Sequence, residues 1–242
     1  MSKLIKIFFF ICLIHAVSCK TKSNFKRLAD NQIVYGKVKS ITEIHTTLKE
    51  KFGELQKDGA PSISYFWFDE KSNLIKEQAA GSTWDSSIYK YNKENYLIEE
   101  LCYDDAAIQA KRVYEYSDGN KKRKESYIYK NIVHINVSKF DARQNQIELN
   151  EYNDDGTPST KHTYEYDNAG NKIKESVQLP NEGVNWTTYR YDSRNNKIEE
   201  NYQTFKFTFK FQNFDKHGNW LKQTAISDVP FYIVERKIEY YE

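Results

Sequence analysis

The chain is poor in the residues that crosslink or interrupt a fold. It has three cysteines, four prolines and nine glycines in 242 residues. Cys12 and Cys19 lie near the start, and Cys102 is alone in the remainder, so we predict neither an intramolecular disulfide nor a cysteine-based zinc site. We expect Cys102 to be a small buried apolar residue rather than a reactive thiol. The scarcity of proline and glycine favours regular secondary structure.

The chain also lacks a long apolar run outside its first twenty residues. There, Lys3 and Lys6 precede an apolar stretch, residues 7–14, that is too short to span a bilayer as a helix. Ala16-Val17-Ser18 and Cys19 follow, an arrangement that resembles a bacterial lipoprotein signal. The resemblance implies a lipid anchor on Cys19 and an outer-membrane lipoprotein; the alternative is an ordinary signal peptide cleaved after Ser18. Both alternatives predict export to the cell envelope.

A net charge of one sign is absent as well. Removal of residues 1–18, which include Lys3 and Lys6, leaves 34 basic residues against 34 acidic ones. Nucleic-acid binding needs a surplus of basic charge, so we predict no nucleic-acid partner.

Aromatic residues, by contrast, are abundant, with 19 Tyr and 14 Phe, and they recur in a pattern. An aromatic residue before a polar turn returns every 23 to 26 residues, at Phe68, Tyr91, Tyr116, Phe140, Tyr166, Tyr191 and Phe214. Seven positions later an aliphatic residue follows in six copies, and Arg123 stands there in the third. Apolar and polar residues alternate on both sides of each turn, which predicts one β-hairpin per copy.

The copy HTYEYDNAGNKIKES, residues 162–176, sets the predicted register. A four-residue loop, residues 167–170, would place Tyr164 opposite Ile173 and Glu165 opposite Lys172. The third copy has lost one turn residue. We predict a three-residue loop there and a compensating bulge in the next strand.

These copies resemble the YD-repeat (RHS-repeat) proteins, whose signature is an aromatic residue, Asp, two variable residues, Gly and a polar residue. The matching stretches include YEYDNAGNKIKES, YRYDSRNNKIEEN and FQNFDKHGNWLKQ. The resemblance covers roughly residues 33 to 242, is closest to small bacterial envelope lipoproteins with degenerate repeats, and implies a β-hairpin array.

The predicted fold is therefore all-β: an antiparallel hairpin meander of about 15 strands in a single curled or partly wrapped sheet. We predict a signal peptide over residues 1–18, a tether over 19–32, and one repeat domain of seven copies over 33–242. Residues 25–33 suggest one or two helical turns.

Motifs that carry catalysis are missing from the sequence. The four histidines after residue 18, His45, His134, His162 and His217, occupy unrelated registers, and no nucleophile elbow, P-loop or dinucleotide fingerprint is present. One Asp per turn is too few for calcium and suits turn capping. We predict no enzyme, cofactor or metal site.

A row of glutamates is the candidate binding feature. Glu77, Glu100, Glu125, Glu175 and Glu200 follow the marker aromatic by nine positions, and the register places them on the face of Tyr89, Tyr114, Tyr164 and Tyr189. Either basic side chains neutralise the row where this face meets solvent, or carboxylates beside Tyr rings form a groove suited to sugars or cationic peptides.

The leading hypothesis is a non-catalytic, lipid-anchored envelope protein that presents this surface to a protein or glycan partner. One alternative is a structural subunit whose free edge strands, residues 38–44 and 233–240, pair with other chains. Another, by family analogy alone, is an immunity-type protein that neutralises a secreted toxin.

Overall fold

A computed structural model describes residues 25–27, 33–79, 84–130, 132–180 and 182–242. The predicted signal peptide and Cys19 lie outside these residues. The described part of the chain contains no helix long and apolar enough to cross a membrane. Its strands are β1 (Phe25–Arg27), β2 (Ile33–Tyr35), β3 (Val38–Lys51), β4 (Glu54–Lys57), β5 (Ser62–Phe68), β6 (Leu74–Ala79), β7 (Ser86–Tyr91), β8 (Leu97–Asp104), β9 (Ala107–Ser117), β10 (Lys122–Tyr129), β11 (Ile132–Phe140), β12 (Gln146–Tyr152), β13 (Pro158–Tyr166), β14 (Lys172–Gln178), β15 (Val184–Tyr191), β16 (Lys197–Tyr202), β17 (Lys206–Phe214), β18 (Trp220–Ile226) and β19 (Pro230–Tyr240).

Sixteen of these strands, β3 and β5 to β19, form a closed antiparallel barrel. The prediction of an all-β antiparallel meander is confirmed, but the sheet does not stay open. The last strand returns to the first, from Tyr232 opposite Thr47 to Tyr240 opposite Val38. The two segments that the assembly hypothesis treats as free edges thus pair with each other. Closure depends on the number and stagger of all strands together, which no single repeat encodes.

The seven sequence copies correspond to seven hairpins, which we number 1 to 7 from β5–β6 to β17–β18. Three further strands are not part of the barrel wall. β4 pairs with the carboxyl-terminal end of β3, and β1 pairs with β2. The prediction of helical turns within residues 25–33 is wrong, since Phe25–Arg27 and Ile33 belong to paired strands. β1 lies within the predicted tether.

The turn of hairpin 5 has three residues rather than the predicted four. The Asp167 amide donates to the Asn171 carbonyl, and Tyr166 pairs with Lys172. A bulge follows, so that Glu165 pairs with Lys174 and Tyr164 with Glu175 instead of Ile173. The predicted register is therefore wrong. The physical reason is the Asp167 carboxylate, which accepts both the Asn171 amide and its Nδ2 and so closes the shorter loop (each 2.8 Å).

Hairpin 3 departs in the opposite sense from the prediction. β9 and β10 pair without a register shift, and Tyr116 lies opposite Arg123. Ser117 pairs with Lys122, so the loop is residues 118–121. The predicted three-residue loop and the predicted bulge are therefore both wrong: a loop of four residues takes the place of a three-residue loop with a bulge.

The two faces of the wall differ in burial. Glu100 and Arg236 are each 7% exposed and Tyr114 is 8% exposed. Their alternating neighbours on the strands, such as Lys90 and Lys111, are largely exposed. A concave surface crowds its side chains, so we assign the more buried face to the barrel interior and name it the inner face. The other is the outer face.

Sixteen strands enclose a space wider than side chains can occupy. The one compact apolar cluster among the described residues is Val34, Val38, Ile41 and Phe68, beside the seam between β3 and β19. Asn219 holds β2 beside this seam, since its side chain accepts from the Tyr35 amide (2.8 Å) and donates to the Tyr35 carbonyl (2.9 Å). Cys102 is fully buried, as predicted.

Candidate binding site

The inner face repeats one cross-strand pair. Each glutamate of the predicted row lies opposite the aromatic residue that precedes the marker by two positions: Phe66 with Glu77, Tyr89 with Glu100, Tyr114 with Glu125, Tyr164 with Glu175 and Tyr189 with Glu200. The structure therefore places all nine residues that the sequence selected on the inner face, in two groups that hairpin 4 separates. In four of these five hairpins a bulge after the turn sets the pairing. Hairpin 3 has no bulge but a loop that is one residue longer, so Tyr114 still lies opposite Glu125.

Hydrogen bonds link three of the five glutamates to a tyrosine of the next hairpin. The Tyr114 hydroxyl donates to Glu100 Oε2 at 3.2 Å, and the Tyr189 hydroxyl donates to Glu175 Oε2 at 3.1 Å. Tyr89 bonds Glu77 in the same way. Burial, together with the facing carboxylates, raises the pKa of Tyr89, Tyr114 and Tyr189 well above the usual value. These phenols stay protonated and act as donors.

Basic side chains that sequence reasoning missed neutralise most of the row. Arg112 Nη1 lies 2.6 Å from Glu100 Oε1, Lys172 Nζ lies 2.8 Å from Glu175 Oε2, and Lys197 Nζ lies 2.7 Å from Glu200 Oε2. Both lysines directly follow the turn, where the bulge begins. The predicted register put Lys172 opposite Glu165 on the outer face, and no signal in the sequence marks the bulge that turns it inward.

The glutamates are not equivalent. Burial alone would raise the pKa of Glu175, but Lys172, Tyr189 and His162 together hold it below its usual value. Burial and the neighbouring Glu100 raise the pKa of Glu77 despite its bond with Tyr89. No cation of the described chain lies at ion-pair distance from Glu77, so its carboxylate accepts a proton more readily than the others do.

A cavity of about 540 Å³ lies where the repeat is interrupted at hairpin 4. That copy has Ser138 and Leu149 in place of the usual Tyr and Glu. The rings of Tyr127 and His134 stack at 6.2 Å, and the Arg112 guanidinium lies 4.8 Å from the Tyr127 ring centroid. The other lining residues are Glu125, Asn136, Glu151, Tyr152, Asn153, Asp154 and Ser159. Ring faces beside carboxylates and amides suit a ligand rich in hydroxyl groups.

Another charged pair of the inner face is structural. Arg236 donates to Glu43 Oε1 through Nη2 at 2.6 Å and Nε at 2.8 Å, and its side chain is 1% exposed. The guanidinium stacks on Trp220 at 3.5 Å. Burial would raise the pKa of Glu43, but His45 and Arg236 hold it below its usual value. The pair closes the seam between β3 and β19 and is not accessible to a ligand.

The fold is similar to that of solved structures. A solved structure of a porin-like protein from Bacteroides uniformis superposes with a TM-score of 0.55 at 10% sequence identity, covering 84% of this chain and 96% of that one. No protein-family model matches the chain, and no curated protein matches it. At this identity the likeness extends to the fold alone, a large antiparallel β-barrel.

Proposed function

We propose that this chain is a non-catalytic envelope protein, anchored through lipid at Cys19, that binds a glycan on the inner face of its barrel. The observation that carries the proposal is the row of Tyr–Glu pairs on both sides of the cavity that Tyr127 and His134 line. A folded protein cannot enter the space inside a barrel of this size, whereas a saccharide chain can. This favours a glycan over a protein as the partner.

The outer face supports attachment by a tether rather than by insertion of the barrel. Ion pairs run across its strands, as in Lys90–Glu99–Lys111, where both nitrogen–oxygen distances are 2.5 Å. Lys139–Glu148–Lys161 and Arg190–Glu199–Lys206 repeat the arrangement further round the wall. A barrel that crosses a bilayer presents an apolar belt to lipid. These rows of ion pairs on the outer face favour a barrel whose outer face contacts water rather than lipid.

Glycan binding is tested by isothermal titration of the purified chain with neutral and amino oligosaccharides. The double variant Glu175→Gln, Glu200→Gln keeps side-chain volume but removes two charged acceptors, and we expect it to weaken binding at least about tenfold. The outer-face variant Glu165→Gln is the matched control and should bind like the parent. Equal affinity of all three proteins would refute the proposal.

Lipid attachment has a separate test. Cells that express the chain are labelled with a clickable fatty acid and then fractionated. We expect the label and the membrane association to disappear together in Cys19→Ser. Labelling of that variant to the parent level would exclude Cys19 as the anchor.

A further inference from the structure

Arg123 is the one residue that breaks the aliphatic series of the repeat. It occupies the position that holds Ile or Leu in the other six copies. Its cross-strand neighbours are Tyr116 on one side and Ser138 on the other, both on the inner face. In hairpin 3, which has no bulge, a long cation therefore lies on the inner face.

The charge of Arg123 has no carboxylate to balance it. The guanidinium lies between two rings, 5.1 Å from the centroid of Tyr114 and 5.3 Å from that of Phe140. Its Nε is buried without a hydrogen-bond partner, and within the described residues no Asp or Glu forms an ion pair with it. The other two arginines of the inner face, Arg112 and Arg236, each have a glutamate within 3 Å.

Arg123 is half-buried, and a nearby counter-charge stabilises a charge that is partly removed from water. The ring faces stabilise the guanidinium by cation–π attraction, and Tyr116 shares a hydrogen bond with it. Neither contact supplies an anionic acceptor.

The space for such an acceptor adjoins Arg123. A cavity of about 480 Å³ lies under the turns of hairpins 1 to 4. Its walls are mainly apolar, and Tyr96 and Tyr116 form a tilted ring pair at 5.0 Å. The lining residues are Lys71, Asn73, Tyr91, Asn95, Tyr96, Leu97, Tyr116, Arg123, Phe140 and Gln144. This lining contains two cations, three amides and no carboxylate, in contrast to the cavity at hairpin 4.

We propose that this cavity binds an organic anion, with a carboxylate or phosphate head on Arg123 and a flat apolar body against the rings of Tyr96, Tyr116 and Phe140. A planar guanidinium matches either oxyanion through paired N–H donors. Arg123 contacts Tyr114 of the Tyr–Glu row, but the proposal does not depend on glycan binding.

The test is calorimetric titration of the purified chain with three probes of the same ring system: 2-naphthoate, 2-naphthyl phosphate and 2-naphthalenemethanol. We expect at least one anion to bind and the neutral alcohol to bind at least about tenfold more weakly. The comparison of the two anions identifies the preferred head group. Equal binding of the alcohol and the anions, or no binding of any anion, would overturn the proposal.

Two variants locate the site. Arg123→Gln keeps a polar side chain and should lose the preference for the anion, whereas Arg190→Gln, an outer-face control, should keep it. Arg123→Ile restores the residue of the repeat. A saturating amount of the bound anion should raise the Tm of the parent and leave that of Arg123→Ile unchanged. An equal rise in both proteins would show that Arg123 does not hold the ligand, whatever the stability of the variant itself.

Discussion

At the scale of single side chains, the seam between β3 and β19 depends on Arg236. Its guanidinium is buried against Trp220 and donates twice to Glu43. Neither charge can return to water while the barrel is closed. Removal of one partner therefore leaves the other both desolvated and unpaired.

We predict that Arg236→Met, which approximates the volume of the arginine, lowers the free energy of unfolding by about 3 to 5 kcal/mol. Arg190→Met removes an exposed ion pair with Glu199 and should cost about 0 to 1 kcal/mol. Urea denaturation of both variants measures the difference. Adding Glu43→Leu to Arg236→Met should restore much of the loss, and two single variants of similar stability would contradict this account.

Sequence patterns predicted which tyrosines and glutamates share a face, because the period of a strand is two and the repeats align. They did not predict the partners of those groups. Lys172 reaches Glu175 only because a bulge displaces it by one position, and Arg112 reaches Glu100 from a different hairpin. Both contacts depend on backbone geometry that the residue types do not reveal.

At the scale of the hairpin, the turn is closed by an Asp–Asn pair four residues apart. In hairpins 1, 4, 5, 6 and 7 the Asp carboxylate accepts from the Asn amide and from its Nδ2. In hairpin 5, Asn171 also donates to Asn195 of the next turn at 3.0 Å and is 2% exposed. The pair thus stabilises a turn and connects it to its neighbour.

We predict that Asn171→Ala destabilises the protein by about 1 to 3 kcal/mol, because the half-buried Asp167 Oδ2 and Asn195 Oδ1 lose their Nδ2 donor. Amide hydrogen exchange should quicken first in the turns of hairpins 5 and 6. The exposed Asn185 provides the control, and Asn185→Ala should change stability by less than about 0.5 kcal/mol. A uniform increase of exchange round the barrel would argue against a local role for the pair.

The sequence predicted the existence and spacing of the hairpins from the Asp and Gly of the turns and the alternation beside them. It did not predict the loop length. The four-residue loop would place Tyr164 opposite Ile173, whereas Glu175 lies there. The bulge that sets this pairing also contacts the next hairpin, since the Tyr191 hydroxyl donates to the Lys172 carbonyl at 2.9 Å.

At the scale of the molecule, several carboxylates round the barrel are ionised more easily than usual. Lys139 and Lys161, with Asn150, lower the pKa of Glu148 to about 2. The pKa values of Glu43, Glu99 and Glu175 are lowered as well. Each such group stabilises the folded state above its unfolded pKa, and that stabilisation is lost as the pH falls through the folded pKa.

We therefore predict that the free energy of unfolding decreases as the pH falls from about 4.5 towards about 2. Glu148→Gln removes one contributor, so its stability should depend less steeply on pH over this window. Glu77 has the opposite sign because its pKa is raised, and Glu77→Gln should make the decline on acidification steeper. Urea titrations at pH 6, 4 and 2.5 measure these slopes. Parallel curves for the three proteins would contradict the assignment.

The closed topology was the part of the fold least accessible from sequence. Alternation and repeat spacing establish neighbouring strands, and they correctly predicted a meander. Whether sixteen strands return on themselves depends on accumulated twist and on the pairing of residues almost 200 positions apart, such as Glu43 with Arg236.

The pairing of β3 with β19 also has a consequence for the order of events during folding. The Tyr241 amide donates to the Lys37 carbonyl, so the first and last residues of the wall are neighbours. A chain that emerges from the ribosome with its amino end leading can form hairpins one after another. The barrel cannot close until the final dozen residues have emerged. Until then the edge of β3 that pairs with β19 stays unpaired.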